Sequence, residues 1–138
     1  MQQQNQISPR IGFVGAGRVA KGLAWGMAQS GQRVVAAASR SPASAGQLAA
    51  RIDGCRAAAN PQEVVDCSDL VFLTVPDDAI AAVAASLVWR KDVAAIHCSG
   101  ATELDALASA ARAGAHIGGF NPLQLFADPE VALAGLPG

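Results

Sequence analysis

The sequence predicts an α/β fold: a doubly wound parallel β-sheet of about six strands, covered by helices on both faces in three layers. Two observations lead to that prediction. Continuous apolar runs, typical of strands buried on both faces, alternate along the chain with segments whose apolar residues recur at helical spacing. The first apolar run also leads straight into a glycine-rich turn and a helix. Strands that alternate with helices are joined by right-handed crossovers, so they lie parallel.

The first two strand–helix pairs have clear boundaries. The first strand begins at Arg10, and its helix stops at Ser30-Gly31. The second strand lies within residues 32–39; Ser41 can cap the helix that follows, and Pro42 suits its first position. The packed sides carry apolar residues at helical spacing: Val19, Leu23 and Met27 in the first helix, and Leu48, Ala49 and Ile52 in the second, which ends at Asp53-Gly54.

The middle of the chain predicts a brief connection between the two halves of the sheet. Residues 55–58 are expected to form a short third strand. Asn60-Pro61-Gln62-Glu63 has the form of a capping box with proline at the first helical position. A short helix is therefore expected to open there and to continue through Val64 and Val65.

The second half repeats the alternation with three further strands. They lie at residues 69–75, where Pro76 stops the strand, at 93–98 and at 115–120. Two helices separate them: one is defined by Ile80, Val83, Ala84 and Leu87, and the other can be capped by Thr102 with Asp105 and carries Leu104, Leu107 and Ala111. We expect the strand order 3-2-1-4-5-6, with ligands beyond the carboxyl ends where the order reverses, between the first and fourth strands.

Composition and charge exclude several classes of function. The 138 residues suffice for one domain, and hydrophobic residues make up 51% of them against 15% charged. A net charge of −1 offers no basic field, so neither nucleic acid nor an anionic membrane is an expected partner. No apolar run approaches the roughly 20 residues needed to span a bilayer, and residues 1–8 lack the apolar core of a signal peptide. We expect a cytoplasmic protein.

The cysteines argue against a metal site or a disulfide framework. Cys55, Cys67 and Cys98 are odd in number and lack CxxC spacing or a histidine cluster. We expect small buried side chains and no metal. Cys98, at a strand end, is the cysteine that could face a ligand.

The turn after the first strand predicts a dinucleotide-binding Rossmann domain. Gly15, Gly17 and Ala20 stand in the pattern GxGxxA between strand and helix. Gly15 permits the tight turn, Gly17 lets the backbone approach phosphate oxygens, and Ala20 allows close packing of the helix on the sheet. The helix then aims free N–H groups at the anion. The residues expected to bind the pyrophosphate are Gly15, Ala16, Gly17, Arg18 and Val19, with Arg18 either contacting it or facing solvent. An ordinary glycine-rich turn is the alternative.

Ser39-Arg40-Ser41, at the end of the second strand, favours NADP over NAD. An NAD site would place Asp or Glu there to hold the ribose hydroxyls. Without that carboxylate nothing repels a 2′-phosphate, and the Arg40 guanidinium with the two hydroxyls can bind its oxygens. The alternative is that Arg40 is a solvated surface residue and Ser41 only caps the next helix.

Several segments together resemble a known family. IGFVGAGRV, ASRS, VFLTVPDDAI, HCSGA and GFNPLQLFADPE are similar to the NADP-binding Rossmann-like domains of the 6-phosphogluconate dehydrogenase-like superfamily, near pyrroline-5-carboxylate reductases and deazaflavin-linked NADP reductases. The resemblance is strongest to oxidoreductases in which this domain precedes a C-terminal helical domain of uncharacterised function. It implies a nicotinamide cofactor, a small-molecule substrate, and an active site completed by the helical domain, commonly within a homodimer.

The resemblance also implies roles for residues at later strand ends. Val75 and Pro76 would lie along the nicotinamide-side ribose, and Ser99-Gly100 would border the nicotinamide and the substrate. Structural roles compete with these, because Pro76 can simply end a strand and Ser99-Gly100 can simply turn the chain. Asp77-Asp78 fits a helix cap better than a catalytic role.

No catalytic residue is identified, and Ser99 and Asn121 are the candidates. The family pattern commonly has a histidine immediately before the proline at this point of the chain, where this sequence has Asn121. An amide can orient a carbonyl substrate, but it cannot exchange a proton near neutral pH as imidazole does. His97 is the alternative imidazole near the crevice, although strand alternation can turn it away from the ligand. His116 is interpreted as a structural strand residue.

These interpretations combine into one prediction of domains and function. Residues 1–9 form a polar lead, residues 10–127 the dinucleotide-binding domain, and residues 128–138 a tail expected to lead into the helical domain. The predicted function is the NADP-binding domain of an oxidoreductase that transfers hydride between NADP(H) and a small metabolite. A noncatalytic nucleotide-binding or redox-sensing module is the alternative.

Overall fold

The computed structural model of the chain describes residues 9–98 and 104–119, which form one six-stranded sheet with helices on both faces. The strands are β1 Arg10–Val14, β2 Arg33–Ala38, β3 Arg56–Ala57, β4 Leu70–Leu73, β5 Ala94–His97 and β6 His116–Gly119. The helices are α1 Arg18–Gln29, α2 Pro42–Ala50, α3 Pro61–Cys67, α4 Ile80–Ala85 and α5 Ala108–Arg112, with 3₁₀ turns at Asp77–Ala79 and Leu104–Leu107.

The sheet has the predicted topology. Its order is β3-β2-β1-β4-β5-β6, and every neighbouring pair is parallel. The chain therefore first builds outward from β1 to β3 and then crosses back to place β4 on the other side of β1. The carboxyl ends of β1 and β4 lie side by side at that reversal, which is where a doubly wound sheet binds its ligand.

Two apolar layers hold the helices on the sheet. The layer under α1 and α2 contains Leu23, Met27 and Leu48, with Phe13 and Phe72 stacked on neighbouring strands at a ring-centroid distance of 5.2 Å. The opposite layer joins the sheet to the other three helices through buried side chains that include Val64, Val65, Ile80, Ala84 and Ala110. The alternation of side chains along each strand thus supplies both faces.

The centre of the sheet depends on one glycine of β1. A Cβ atom on Gly12 would overlap both the side chain of Val64 and the hydroxyl of Ser68, which is fully buried. The absence of a side chain at Gly12 lets α3 approach the backbone of β1 closely.

The structure corrects the predicted end of the second helix. α2 ends at Ala50 instead of at Asp53-Gly54. The chain beyond it closes into tighter turns, because the Ile52 N–H donates to the Ala49 carbonyl, three residues back, at 3.1 Å. Ile52 nevertheless packs into the core as expected, at 8% exposure.

One predicted cap is confirmed and one is not. The Asn60 side chain accepts a hydrogen bond from the Glu63 N–H at 3.0 Å, while the Glu63 carboxylate reaches back to the Ala59 N–H at 3.2 Å. Ser41 does stand at the cap position of α2, but its side chain makes no capping hydrogen bond. The cap predicted at Thr102 lies outside the described residues.

Val19 is not the core residue that its spacing suggested. Leu23 and Met27 are fully buried, whereas Val19 is 51% exposed. The buried face of α1 is formed by Ala20, Leu23, Ala24 and Met27, and in a helix of 3.6 residues per turn Val19 lies at the edge of that face.

Candidate dinucleotide-binding site

Two cavities meet at the point where the strand order reverses. One, of about 480 Å³, we call the Arg40 lobe; the other, of about 370 Å³, we call the Cys98 lobe. Both have Gly17, Thr74, Val75 and Pro76 in their walls, so the lobes are two halves of one cleft. The other walls of the Arg40 lobe come from Val14, Gly15, Ala16, Ala38, Ser39, Arg40, Ser41, Ser44, Pro61, Ala79, Val83 and Ser86, and those of the Cys98 lobe from Arg18, Val19, Leu73, Asp77, Ile80 and Cys98.

The glycine turn lies at the junction of the lobes. Gly15 has a positive φ of 102°, and a Cβ atom there would collide with the Thr74 carbonyl oxygen. Gly17 differs, because a Cβ atom there would meet nothing within 4 Å. The first glycine is therefore required by the fold, while the second leaves open the space in front of α1. Ala20, fully buried, packs the helix on the sheet as predicted.

The N-terminus of α1 is chemically suited to an anion. Gly17 is its N-cap, no side chain caps it, and its first turn contains no acidic residue. The Lys21 N–H makes the first intrahelical hydrogen bond, to the Gly17 carbonyl at 3.0 Å, so the N–H groups of the three preceding helical residues have no partner within the helix. Those N–H groups and the positive end of the helix dipole fit the pyrophosphate of a dinucleotide.

The rim of the Arg40 lobe carries a cation and hydroxyl groups. Arg40 is exposed at the carboxyl end of β2, between Ser39 and Ser41. The Ser39 hydroxyl donates to the Ser41 carbonyl, which fixes the course of the backbone around Arg40. No carboxylate is found among the described residues that line this lobe. The Arg40 guanidinium and the neighbouring hydroxyls are therefore suited to bind an anionic group.

The Cys98 lobe has an apolar floor and a mixed rim. Val19 of α1 lines it and is exposed, and the buried Ile80 of α4 lines it as well. Burial raises the pKa of the Cys98 thiol to about 12, so the thiol is neutral at physiological pH. Asp77 lines the lobe from the turn after β4, where neither it nor Asp78 makes the helix-capping hydrogen bond that the sequence suggested.

Most of the predicted binding residues come together in this cleft. Those that line it are Gly15, Ala16, Gly17, Arg18, Val19, Ser39, Arg40, Ser41, Val75 and Pro76. Ser99, Gly100 and Asn121 lie outside the described residues. The contact of each residue with a cofactor stays a prediction.

The two histidines are not part of the cleft. His97 is 3% exposed, lines neither lobe, and shares the sheet face of Ala95, which is covered by α3, α4 and α5. Burial lowers the pKa of the His97 imidazole, and the negative charge of Asp77 raises it by a smaller amount. The imidazole is therefore neutral at physiological pH. His116 is an exposed residue of β6 and lines neither lobe.

Sequence reasoning missed several wall residues. Thr74 separates the lobes, and Ser44, Pro61, Ala79, Val83 and Ser86 complete the Arg40 lobe. One signal was available for Thr74, since it is a polar residue at the end of an apolar strand next to the reversal of strand order. The others belong to helices or to the residues beside them, which only the tertiary packing brings to the cleft.

The fold and the cleft together define an NAD(P)-binding Rossmann-like oxidoreductase domain. A comparison with known families gives the more particular assignment. Residues 10–99 match the family described as NADP oxidoreductase, coenzyme F420-dependent, and the chain belongs to that family. The resemblance to deazaflavin-linked NADP reductases is thereby confirmed. No protein with a curated description is significantly similar in sequence.

Solved structures share the fold at low sequence identity. A 3-hydroxyisobutyrate dehydrogenase from Mycobacterium tuberculosis is 18% identical with a TM-score of 0.71, covering 83% of this chain and 40% of its own. A reductive aminase from Aspergillus terreus in complex with NADPH is 16% identical with a TM-score of 0.70, covering 86% and 43%. A pyrroline-5-carboxylate reductase from Coxiella burnetii is 19% identical with a TM-score of 0.58, covering 67% and 36%. The chain thus spans less than half the length of these proteins.

The described residues lack two other kinds of feature. They contain no group of three or more His, Cys, Asp or Glu side chains able to hold a metal ion. No helix within 9–98 or 104–119 is long and apolar enough to cross a membrane.

Proposed function

We propose that this chain is the NADP-binding part of an oxidoreductase that transfers hydride between NADP(H) and a small metabolite. The observation that carries the proposal is the uncapped N-terminus of α1, which opens at Gly17 onto the junction of two lobes. A dinucleotide has the matching form, with a central anionic pyrophosphate and one nucleoside on each side.

The Arg40 lobe is the proposed site of the adenosine half. Pro61, Ala79 and Val83 offer apolar surface to a base, while Arg40 and its serine neighbours are at the rim. A 2′-phosphate would accept charge-assisted hydrogen bonds from Arg40, and no carboxylate among the described lining residues would repel it. This lobe is therefore the basis for preferring NADP to NAD.

The Cys98 lobe is the proposed site of the nicotinamide half. The bound cofactor would supply the hydride, and the role of this chain is to hold the ring and to exclude water from one side of it. The neutral Cys98 thiol is too weak an acid to protonate a substrate near neutral pH. Ser99 and Asn121 stay the candidates for contact with the substrate, within an active site completed by a helical domain and a second subunit.

The proposal is tested by calorimetric titration of the purified chain with NADPH and NADH. We expect saturable binding of NADPH, and weaker binding of NADH. No heat with either ligand would refute the proposal. Equal affinity for both would refute the preference for NADP while leaving a nicotinamide dinucleotide site in place.

A further inference from the structure

The glycine turn is tied to both strands that flank β1. The Gly15 N–H donates to the Ala38 carbonyl of β2 at 2.7 Å. The Gly15 carbonyl accepts a hydrogen bond from the Thr74 hydroxyl, just beyond β4, at 2.8 Å. Ala38 contributes only its backbone, which any residue could do. The second tie depends on a side chain, and Thr74 supplies it.

Thr74 contacts the turn with three different groups. Its N–H donates to the Val14 carbonyl at 2.8 Å, which extends the pairing of β1 with β4 by one residue. Its hydroxyl oxygen lies 3.2 Å from the Val14 carbonyl oxygen and also donates a hydrogen bond to the Gly15 carbonyl. Its own carbonyl fills the space that a side chain on Gly15 would need. Thr74 therefore encloses the residue at which the turn begins.

The orientation of one peptide group follows from these contacts. A trans peptide is planar, with its N–H and C=O groups pointing in opposite directions. The hydroxyl that holds the Gly15 carbonyl thus also fixes the direction of the Ala16 N–H and the start of the segment that leads to the N-terminus of α1. Glycine has unusual rotational freedom, so without this hydrogen bond the Gly15–Ala16 peptide could reorient more easily.

We infer that Thr74 is a positioning residue for dinucleotide binding: its hydroxyl holds the Gly15–Ala16 peptide so that the N–H groups of α1 meet the pyrophosphate. The inference rests on the proposed function, since it assigns a determinant of affinity within that site. Thr74 lies in the wall shared by the two lobes, so its substitution should weaken binding of the central part of the ligand, the pyrophosphate.

Two substitutions separate the hydroxyl from the shape of the side chain. Thr74→Val keeps the branched shape and removes the hydroxyl, whereas Thr74→Ser keeps the hydroxyl and removes a methyl group. Each variant of the full chain is titrated with NADPH and with adenosine 2′-phosphate, which has no pyrophosphate. We expect Thr74→Val to bind NADPH about three- to tenfold more weakly, the loss typical of one hydrogen bond, and to bind adenosine 2′-phosphate as the wild type does. Thr74→Ser is expected to bind NADPH within about twofold of the wild type.

The possible results distinguish this inference from the proposed function. A wild-type chain that does not bind NADPH refutes both. A wild type that binds, with a Thr74→Val variant that binds NADPH equally well, refutes only the role of Thr74. Parallel loss of both ligands in Thr74→Val, without rescue in Thr74→Ser, would show a general structural role and would also overturn the inference. If Thr74→Val does not fold, Thr74→Ala provides the same comparison of the two ligands.

Discussion

The two lobes of the cleft are built differently. The described wall of the Arg40 lobe carries one kind of charge, that of Arg40, beside serine hydroxyls and an apolar surface. The Cys98 lobe has Arg18 and Asp77 at its rim, charges of opposite sign, above apolar side chains and a neutral thiol. One end of the cleft is thus suited to select an anionic ligand by charge, and the other offers mainly apolar contacts to a bound ring.

The lobes nevertheless share a wall, and this divides the residues into two classes. Gly17 and Thr74 line both lobes, so substitutions there should affect every ligand that spans the junction. Arg40 lines a single lobe, so its substitution should affect only ligands that reach that lobe. Selectivity between dinucleotides and affinity for the pyrophosphate should therefore be separable by mutation.

The largest effect is expected for Gly17→Val. The backbone of Gly17 is extended, with φ of −80°, and no atom lies within 4 Å of its absent Cβ, so the fold should accept valine. The new side chain would occupy the space through which the pyrophosphate approaches α1. We expect the affinities for NADPH and NADH to fall together by about 100-fold or more, measured by calorimetry.

Gly26→Val is the matched control, because Gly26 lies on the same helix and its absent Cβ also meets nothing within 4 Å. This variant should bind both dinucleotides normally. A Gly17→Val chain that folds and retains wild-type affinity would show that the junction of the lobes is not where the pyrophosphate binds.

Arg40→Ala should have the next largest effect, confined to one ligand. Loss of the charge-assisted hydrogen bonds should weaken NADPH binding by about 1.5 to 3 kcal/mol and leave NADH binding nearly unchanged. Paired titrations with the two dinucleotides give the ratio directly. Arg56→Ala is the control, since Arg56 is exposed on β3 and does not line the lobe. Equal losses for NADPH and NADH in Arg40→Ala would contradict selection by charge in this lobe.

Local patterns were sufficient to predict the topology and the glycine turn. The parallel sheet follows from the alternation of apolar runs with helical spacing, its strand order from the doubly wound fold that the glycine motif indicates, and the turn at Gly15 from a motif of adjacent residues. The cap at Asn60 was predictable because its partner, Glu63, is only three residues away. Such features depend on sequence neighbours, so a pattern can indicate them.

Other parts of the site depend on contacts between distant segments. The bond from Thr74 to Gly15 joins residues 59 positions apart, and it exists only because β1 and β4 are neighbours in the sheet. Helical spacing placed Val19 with Leu23 and Met27 on the packed side of α1, but the buried face of that helix is formed by Ala20, Leu23, Ala24 and Met27, which leaves Val19 at its edge. The exposure of Val19, and with it one apolar wall residue of the Cys98 lobe, could not be predicted without knowing how α1 is rotated on the sheet.

The smallest effect concerns the apolar character of the Cys98 lobe and is measured as stability against pH. Burial raises the pKa of the Cys98 thiol from its ordinary 9.0 to about 12, so the folded thiol stays neutral while the unfolded one ionises above pH 9. The resulting stabilisation is complete below that pH and is lost as the pH rises toward 12. Between pH 8 and 10 we expect the wild type to lose about 1 kcal/mol of unfolding free energy relative to Cys98→Ala, in urea titrations followed by tryptophan fluorescence. Cys55, whose pKa burial also raises, to about 11, is present in both chains, so its contribution cancels in the comparison. If the difference in unfolding free energy between the wild type and Cys98→Ala does not change with pH, the Cys98 thiol is solvated. The Cys98 lobe would then lack the dry floor that distinguishes it from the Arg40 lobe.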